Sequence, residues 1–300
     1  MSVRSDKSSA SEASSASEAG RAETGRAETS HRDTGAHHHA APPPRVVLIT
    51  GAARRIGRAL ALGFAAHGWD VAVHFGASRT EADELTAEIE ALGRRTIALH
   101  ADLANEADVA RLIPDCTAAL GRPVCIVNNA SRFDEDTARD VAYDKLLHMM
   151  SINVGAPLVL ARMLHDATPE IAREDETQRS VVINMLDQKL HNMNPDYLSY
   201  TLSKAALEAA TVALAQALAP KLRVVGLSPG LTLQSAEQTP ASFAAAHRMT
   251  PLGRASRPED LVAAALYLAD AAGVTGTTLV VDGGQHLVPL PRDVMFLTGS

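Results

Sequence analysis

Short apolar runs alternate with longer amphipathic, Ala-rich stretches from Arg45 to the end of the chain. Continuous apolarity, rather than strict alternation, predicts strands that are covered on both faces. Strands that alternate with helix-length segments predict a parallel sheet with crossover helices. The fold class is therefore α/β, with a doubly wound parallel sheet of seven strands between two helical layers. The seven runs are VVLIT from Val46, VAVHF from Val71, TIALH from Thr96, VCIVNN from Val124, VVINML from Val181, RVVGLS from Arg223 and TTLVV from Thr277.

Residues 1–44 lack this pattern. They consist mainly of Ser, Ala, Glu, Thr and Gly, with an imperfect GRAET repeat and few apolar side chains larger than Ala. Such a segment buries too little surface to offset the entropy of ordering it. We predict a disordered low-complexity tail over 1–44 and a single catalytic domain over 45–300.

Composition narrows the function classes. The net charge of -7 is spread along the chain, which argues against a basic face for nucleic acid. None of the continuous apolar runs approaches the roughly 20 residues of a membrane span. Cys116 and Cys125 have neither metal-site nor disulfide spacing, so both are interpreted as core thiols in a reducing cytoplasm. A cytoplasmic enzyme that acts on a small molecule without a metal is the resulting expectation.

The first strand ends in TGAARRIG, from Thr50 to Gly57, and leads into an Ala/Leu-rich helix. Gly51 suits the tight turn after the strand. Gly57 allows the helix to pack closely against the strand, so that the N–H groups of the helix N-terminus face a pyrophosphate. A glycine-rich turn in this position indicates a Rossmann-like dinucleotide site.

The second strand ends without the carboxylate that would bind a ribose 2′-hydroxyl in an NAD site. Arg54, Ser78 and Arg79 are instead available to a 2′-phosphate, which favours NADP(H). Asp102, after the third strand, is a candidate acceptor for the adenine amino group. Its alternative role is a helix N-cap, and the two roles are compatible.

Tyr200 and Lys204 form YTLSK at the start of a predicted helix, and their spacing of four places both side chains on one face. A phenol titrates near ~10, so we expect a nearby cation to lower the pKa of Tyr200. Lys204 supplies that charge. The pair follows the fifth strand at the carboxyl edge of the sheet, where ligands bind in open α/β folds.

From residue 45 to 290 the chain resembles the short-chain dehydrogenase/reductase family. The resemblance rests on TGAARRIG, the NNA of Asn128 to Ala130, Asn153 in SINVGAP, Tyr200 with Lys204, LSPG from Leu227 and VDGG from Val281. It implies that Asn153 kinks the central helix and positions a water that relays protons to Lys204. The cofactor-binding set that motif and resemblance together predict is Gly51, Arg54, Arg55, Ile56, Gly57, His74, Phe75, Ser78, Arg79, Asp102, Leu103, Asn129, Ala130, Ser131, Tyr200, Lys204, Pro229 and Gly230.

Two residues depart from the common family pattern. Arg55 stands where a Gly is usual, and Asp187 stands where a Ser usually ends the fifth strand. An ionised Asp only accepts hydrogen bonds, so the site is ill-suited to a simple ketone and better suited to a nitrogen heterocycle.

Both departures resemble the pteridine reductases and the related bacterial dihydromonapterin reductases. That resemblance implies that Arg55 holds pterin and cofactor phosphate, that Ser131 hydrogen-bonds the pterin and that Phe133 stacks on it. Asp187 would pass a proton through Tyr200 to a ring nitrogen, and Tyr197 would line the pocket.

The sequence therefore predicts NADPH-dependent reduction of a pterin, a dihydropterin or a dihydrofolate-like substrate. The catalytic residues are predicted to be Tyr200, Lys204, Asp187 and Asn153. One rival hypothesis is a carbonyl reductase acting on a 3-oxoacyl thioester or another ketone. The other is a non-catalytic NADP-binding regulator, against which the intact Tyr200, Lys204 and Asn153 argue. The family resemblance also implies a homotetramer.

Overall fold

The computed structural model describes residues 45–234, 239–254 and 256–297. All of them belong to one compact unit that begins at Pro43. The predicted tail, 1–44, lies outside the described residues, so its prediction stays open.

The sheet has seven parallel strands in the order β3-β2-β1-β4-β5-β6-β7. This confirms the predicted fold class. The strands are β1 Val46–Ile49, β2 Asp70–Phe75, β3 Thr96–His100, β4 Cys125–Asn128, β5 Ser180–Met185, β6 Leu222–Pro229 and β7 Thr278–Val281.

Helices cover both faces of the sheet. They are α1 Arg55–Ala66, α2 Arg79–Ala91, α3 Glu106–Leu120, α4 Tyr143–Met150, α5 Ala156–Ala167, α6 Leu198–Ala217, α7 Pro240–Arg248, α8 Pro258–Asp270 and α9 Val294–Leu297. One core cluster joins the sheet to α1, α2 and α8, and the other joins it to α3, α5 and α6. In β1, Val47 and Ile49 point into the first cluster while Val46 and Leu48 point into the second. Burial on both faces explains why the strands are continuously apolar.

A central helical stretch from Tyr143 to Ala167 is long and apolar enough to cross a membrane by length and composition alone. The search for continuous apolar runs in the sequence did not single out this stretch. The stretch consists of α4, a π-helical segment Ser151–Gly155 and α5. Leu160 and Leu164 pack into the core beneath the sheet, and a core helix passes the same test of composition. The core accounts for part of its apolarity, since 39% of the apolar window is buried, while Leu147 and Leu158 are exposed.

The parallel order brings the ends of β1 to β6 to one edge of the sheet. The order of the strands reverses between β1 and β4, which lie side by side. A crevice at such a reversal is where ligands bind in open α/β sheets. All of the predicted site motifs lie at this edge or in the helices that begin there.

Candidate active site

Two cavities lie at the carboxyl edge of the sheet, and Ser131 lines both of them. One, of about 400 Å³, is lined by loops that follow β1, β2, β3 and β4 and includes Gly51, Asp102 and Ala130. The other, of about 470 Å³, lies beyond β5 and β6 and includes Asp187 and Tyr200. Together they form a divided crevice with one end near the glycine-rich turn and the other at the predicted catalytic residues.

The turn after β1 has the geometry of a phosphate cradle. Gly51 has a φ of +60°, a conformation that glycine adopts without steric cost. A Cβ on Gly57 would overlap Gly51 O and approach Asn129 Nδ2 to 2.7 Å, so only glycine fits there. Arg54 makes no side-chain capping hydrogen bond to α1, so the side chain does not occupy the N–H groups of the first turn. These features fit a dinucleotide pyrophosphate.

His74 and Asn129 brace this turn. His74 Nδ1 accepts from Gly51 N at 3.0 Å, and its Nε2 donates to Ala101 O at 3.2 Å. Burial lowers the pKa of His74 to about 4, which keeps the ring neutral and able to accept. Asn129 Nδ2 donates to Thr50 O and Gly51 O at 2.9 and 3.1 Å. His74 also lines the first cavity, whereas Asn129 shapes the turn from behind.

The three predicted donors for a 2′-phosphate lie beside that cavity without lining it. Arg54 Nε is 3.7 Å from Glu81, and Arg79 Nε is 3.0 Å from Asp83. Arg79 also covers the buried Phe75 ring, at 5.5 Å from the ring centroid, and Ser78 precedes α2 without a capping bond. Carboxylates of α2 therefore pair with both guanidiniums.

Asp102 and Leu103 line the first cavity, and the N-cap hypothesis for Asp102 is wrong. Helix α3 begins at Glu106, and its N-cap is Asn105, whose side chain accepts from Ala107 N at 3.0 Å. Asp102 instead accepts from Ala104 N at 2.9 Å in the preceding turn.

Tyr200 and Asp187 are directly bonded. Tyr200 Oη donates to Asp187 Oδ2 at 2.7 Å, and Asp187 Oδ1 accepts from Lys189 N at 2.8 Å. Lys204 Nζ lies beneath the pair, 5.7 Å from the centre of the Tyr200 ring, and donates to Met185 O at 2.7 Å. Tyr200 and Asp187 line the second cavity, while Lys204 is buried behind them.

The electrostatics of this group differ from the expected lowering of the tyrosine pKa. Burial and the neighbouring Asp187 raise the pKa of Tyr200 well above its usual value. Burial also raises the pKa of Asp187 and lowers that of Lys204 to about 8. Lys204 Nζ donates to Met185 O and lies 5.7 Å from the centre of the Tyr200 ring, whereas the Asp187 carboxylate is bonded to the phenol oxygen itself. The raised pKa keeps Tyr200 as a neutral phenol.

Asn153 interrupts the central helix, as predicted. It lies in the π-helical segment and donates from Nδ2 to Ser203 Oγ at 2.9 Å and to Arg132 O at 3.0 Å. Its Oδ1 accepts from Arg132 N at 2.8 Å and from Ser131 Oγ at 3.3 Å. Asn153 thus ties α6 to the loop after β4.

Arg55 and Tyr197 are the two non-glycine residues with positive φ in the described ranges, at 54° and 53°. A left-handed conformation costs such residues about 1–2 kcal/mol. The Arg55 guanidinium reaches Gln234 O at 3.1 Å and Leu233 O at 3.5 Å, and Arg55 lines the second cavity. The strained backbone therefore stands at the position where the family usually has Gly, with the side chain in the cavity lining.

The Phe133 ring is 46% exposed at the mouth of the second cavity. It stacks on Tyr197 with centroids 4.2 Å apart and meets Tyr200 edge-on at 4.6 Å. Tyr197 is not among the lining residues, contrary to its predicted contact with substrate. Its left-handed backbone turns the ring under Phe133, where it is buried, so it supports the aromatic wall from behind.

Of the remaining predicted residues, Ile56, Pro229 and Gly230 line the second cavity. No sequence motif indicates Asp136, whose buried carboxylate accepts from Ser199 N at 2.9 Å and holds the start of α6. The motifs also missed several lining residues, since only tertiary contacts bring them to the edge: His100, Arg132, Ile152, Gln188, Lys189, Gln285, Asp293 and Val294.

Cys116 and Cys125 are both free and buried, and burial raises the pKa of each thiol to about 12. They are core thiols and take no part in this site. Within 45–234, 239–254 and 256–297 no group of three or more His, Cys, Asp or Glu is arranged to hold a metal.

An open parallel sheet with a phosphate cradle, and with a Tyr and a Lys at its carboxyl edge, defines a dinucleotide-dependent oxidoreductase. The family described as Enoyl-(Acyl carrier protein) reductase matches residues 51–286. The chain belongs to the short-chain dehydrogenase/reductase family.

Relatives and solved structures agree with this class. The chain is similar to FolM alternative dihydrofolate reductase 1 from Brucella canis complexed with NADP, at 36% identity and a TM-score of 0.77, covering 84% of this chain and 97% of that one. An uncharacterized oxidoreductase of Mycobacterium tuberculosis is 36% identical over 248 residues, 80% of this chain and 91% of the relative. An L-rhamnose 1-dehydrogenase (NAD(P)(+)) of Sphingomonas sp. is 31% identical over 252 residues, 81% of this chain and 96% of the relative.

Proposed function

We propose that this protein reduces a pterin, a dihydropterin or a dihydrofolate-like substrate. It is an NADP-dependent oxidoreductase, and its cofactor is NADP(H). The observation that carries the proposal is the 2.7 Å hydrogen bond from Tyr200 to Asp187, a carboxylate where the family commonly has a Ser hydroxyl. The similarity to FolM alternative dihydrofolate reductase supports the same substrate class.

Bound NADPH supplies the hydride in this proposal, and the protein supplies the proton. The relay requires a proton on Asp187, and burial favours this protonated form by raising the pKa of its carboxyl. It passes its proton to the Tyr200 oxygen as Tyr200 donates its own to the ring nitrogen of a C=N bond. Lys204, positively charged below about pH 8, stabilises negative charge on the phenol oxygen during the transfer. Asn153 positions the water that restores the proton through Lys204.

Phe133 and Arg55 hold the substrate. The exposed Phe133 ring is fixed by Tyr197 behind it and offers a flat face to a planar heterocycle. Ser131, in the wall shared by the two cavities, hydrogen-bonds the ring, and Arg55 reaches both the substrate and the cofactor phosphate. The strained conformation of Arg55 supports this role, because a glycine would remove the strain along with the guanidinium.

A carbonyl reductase is the second candidate, and it is favoured by the similarity to the granaticin polyketide synthase putative ketoacyl reductase 2 of Streptomyces violaceoruber, which is 31% identical over 253 residues. Asp187 argues against it, because its ionised form cannot donate to a carbonyl oxygen as a Ser hydroxyl does, and in the proposed relay its protonated form gives its one proton to Tyr200. A non-catalytic regulator has no need for the bonded Tyr200–Asp187 pair with Lys204 beneath it.

We also propose a cytoplasmic homotetramer. Exposed apolar side chains on the outer faces of α4 to α6, among them Leu147, Leu158, Leu202 and Val212, support association through these helices.

Replacing Asp187 separates the two candidates. Asp187→Ser restores a hydroxyl donor, and we expect turnover of dihydrobiopterin to fall while reduction of a simple ketone rises. Steady-state kinetics on both substrates measure this, with exposed Glu259→Gln as the control. If Asp187→Ser turned over dihydrobiopterin at the wild-type rate, the Asp187 carboxylate would have no part in the mechanism.

A further inference from the structure

His100 is the last residue of β3, and it lines the first cavity at the edge where β2 and β3 end. Side chains along a strand alternate between the two faces of the sheet. Leu99 packs into the core cluster with α3, α5 and α6, so the side chain of His100 points to the opposite face, which α2 covers. Ser78 and Arg79, two of the predicted donors for a 2′-phosphate, stand at the start of α2. His100 therefore lies on the same side of the sheet as these two donors.

Phe75 connects His100 to Arg79. It ends β2, its ring is buried, and it pairs in register with His100. The centroid of the His100 ring is 5.4 Å from that of Phe75, and the guanidinium carbon of Arg79 lies 5.5 Å from the same Phe75 centroid. The exposed His100 ring and the Arg79 guanidinium therefore lie around one aromatic ring at the mouth of β2.

The other basic residues in the lining of this cavity do not supply a charge on the α2 side. Burial lowers the pKa of His74 to about 4, so its ring stays neutral. Arg132 lies in the loop after β4, which β1 separates from β2, and its Nε is 2.6 Å from Asp134. Arg54 and Arg79 do not line the cavity. Among the lining residues, His100 is thus the one that can bring a cation to the α2 side.

The ring nitrogens of His100 are available to a ligand, because they hydrogen-bond to no protein group within 45–234, 239–254 and 256–297. The neighbouring carboxylates are engaged elsewhere. Asp102 accepts from Ala104 N at 2.9 Å, and Asp108 accepts from Asp102 N at 3.1 Å and from Arg111 at 2.8 Å. An imidazolium donates from both ring nitrogens, and a neutral imidazole donates from one.

We propose that His100 is a specificity-determining residue that donates to the 2′-phosphate of NADP(H). The inference rests on the cofactor and is independent of the substrate. A hydrogen bond from a charged donor to a phosphate is about twice as strong as a neutral one. NADH has a hydroxyl in place of the phosphate, so it gains no such bond. A role of His100 against the adenine ring would instead serve both cofactors equally.

NADPH and NADH form a matched pair of ligands, because they differ only in the 2′-phosphate. His100→Phe keeps a ring against Phe75 and removes both nitrogens. In fluorescence titrations this variant should bind NADPH about tenfold more weakly, equivalent to about 1.4 kcal/mol, with the NADH dissociation constant unchanged. His100→Arg restores a cation and should recover most of the preference. The control is His67→Phe at the exposed C-terminal end of α1, which should leave both constants at their wild-type values.

Three results would overturn the proposal. In the first, wild-type protein binds NADPH and NADH equally, a comparison that needs no variant to fold. In the second, His100→Phe weakens the two cofactors by the same factor, which would place His100 against the adenine or another part that both cofactors share. In the third, His100→Phe keeps the wild-type ratio of the two dissociation constants, or His100→Arg loses that ratio as fully as His100→Phe does.

Discussion

At the scale of single residues, the account depends on the proton held between Tyr200 and Asp187. Tyr200→Phe keeps the ring that meets Phe133 edge-on and removes only the hydroxyl. We expect turnover to fall by roughly two to four orders of magnitude, the usual contribution of a general acid, with NADPH affinity nearly unchanged. Stopped-flow single-turnover kinetics and a fluorescence titration measure the two quantities. Wild-type turnover in this variant would mean that another group donates the proton.

The pH dependence follows from the same group. Lys204, whose pKa burial lowers to about 8, carries its charge below that pH and loses it above. Asp187, whose pKa burial raises, also loses its proton as pH rises. Both losses weaken proton donation, so kcat should be highest on the acid side and fall as pH rises through about 8. A kcat that climbs between pH 7 and 9 would contradict this assignment.

Tyr200, Lys204, Asp187, Asn153 and Arg55 were all identifiable from the sequence, because short motifs and departures from a family pattern mark them. The lowered pKa expected for Tyr200 was wrong, since a spacing of four says nothing about burial or about the carboxylate across the cavity. Asp293 and Asp136 carry no local signal. They reach the site only through contacts between segments far apart in the chain.

At the scale of elements, we expect the phosphate turn and the start of α2 to determine the preference for NADPH over NADH. Arg54 and Arg79 rest on Glu81 and Asp83 of α2, and a 2′-phosphate would compete for these guanidiniums. We expect NADPH to bind more tightly than NADH by at least tenfold, about 1.4 kcal/mol. Arg79→Ala should weaken NADPH more than NADH in fluorescence titrations. Equal dissociation constants for the two cofactors in wild-type protein would refute the assignment.

The elements themselves were largely readable from hydrophobic periodicity, because strands buried on both faces are continuously apolar. The residues at which the helices begin were harder to predict from the sequence. Asp and Asn both accept hydrogen bonds from the N–H groups of a first helical turn, so Asp102 was a plausible N-cap for α3. In the structure the helix begins further on, and its N-cap is Asn105. The π-helical break at Asn153 came from the family resemblance and not from the pattern, which runs through α4 and α5 without interruption.

At the scale of the whole molecule, the order of the strands makes the site. Periodicity predicts seven strands but not that β1 and β4 lie side by side, and that neighbouring pair places the cradle and the catalytic residues at one crevice. That Asp293 and Val294 line this crevice was also beyond prediction. The resemblance ends near residue 290, and the 2.7 Å hydrogen bond from Asp293 N to the Asp196 carboxylate depends on the folded loop after β5.

The central claim is that this crevice reduces a nitrogen heterocycle and not a ketone. The most direct measurement is NADPH oxidation by the wild-type protein, followed in parallel with dihydrobiopterin, dihydrofolate and an acetoacetyl thioester. We predict turnover with dihydrobiopterin or dihydrofolate and little with the thioester. Turnover with the thioester alone would contradict the account and leave the carbonyl reductase, and no turnover with any of the three despite tight NADPH binding would favour the regulator.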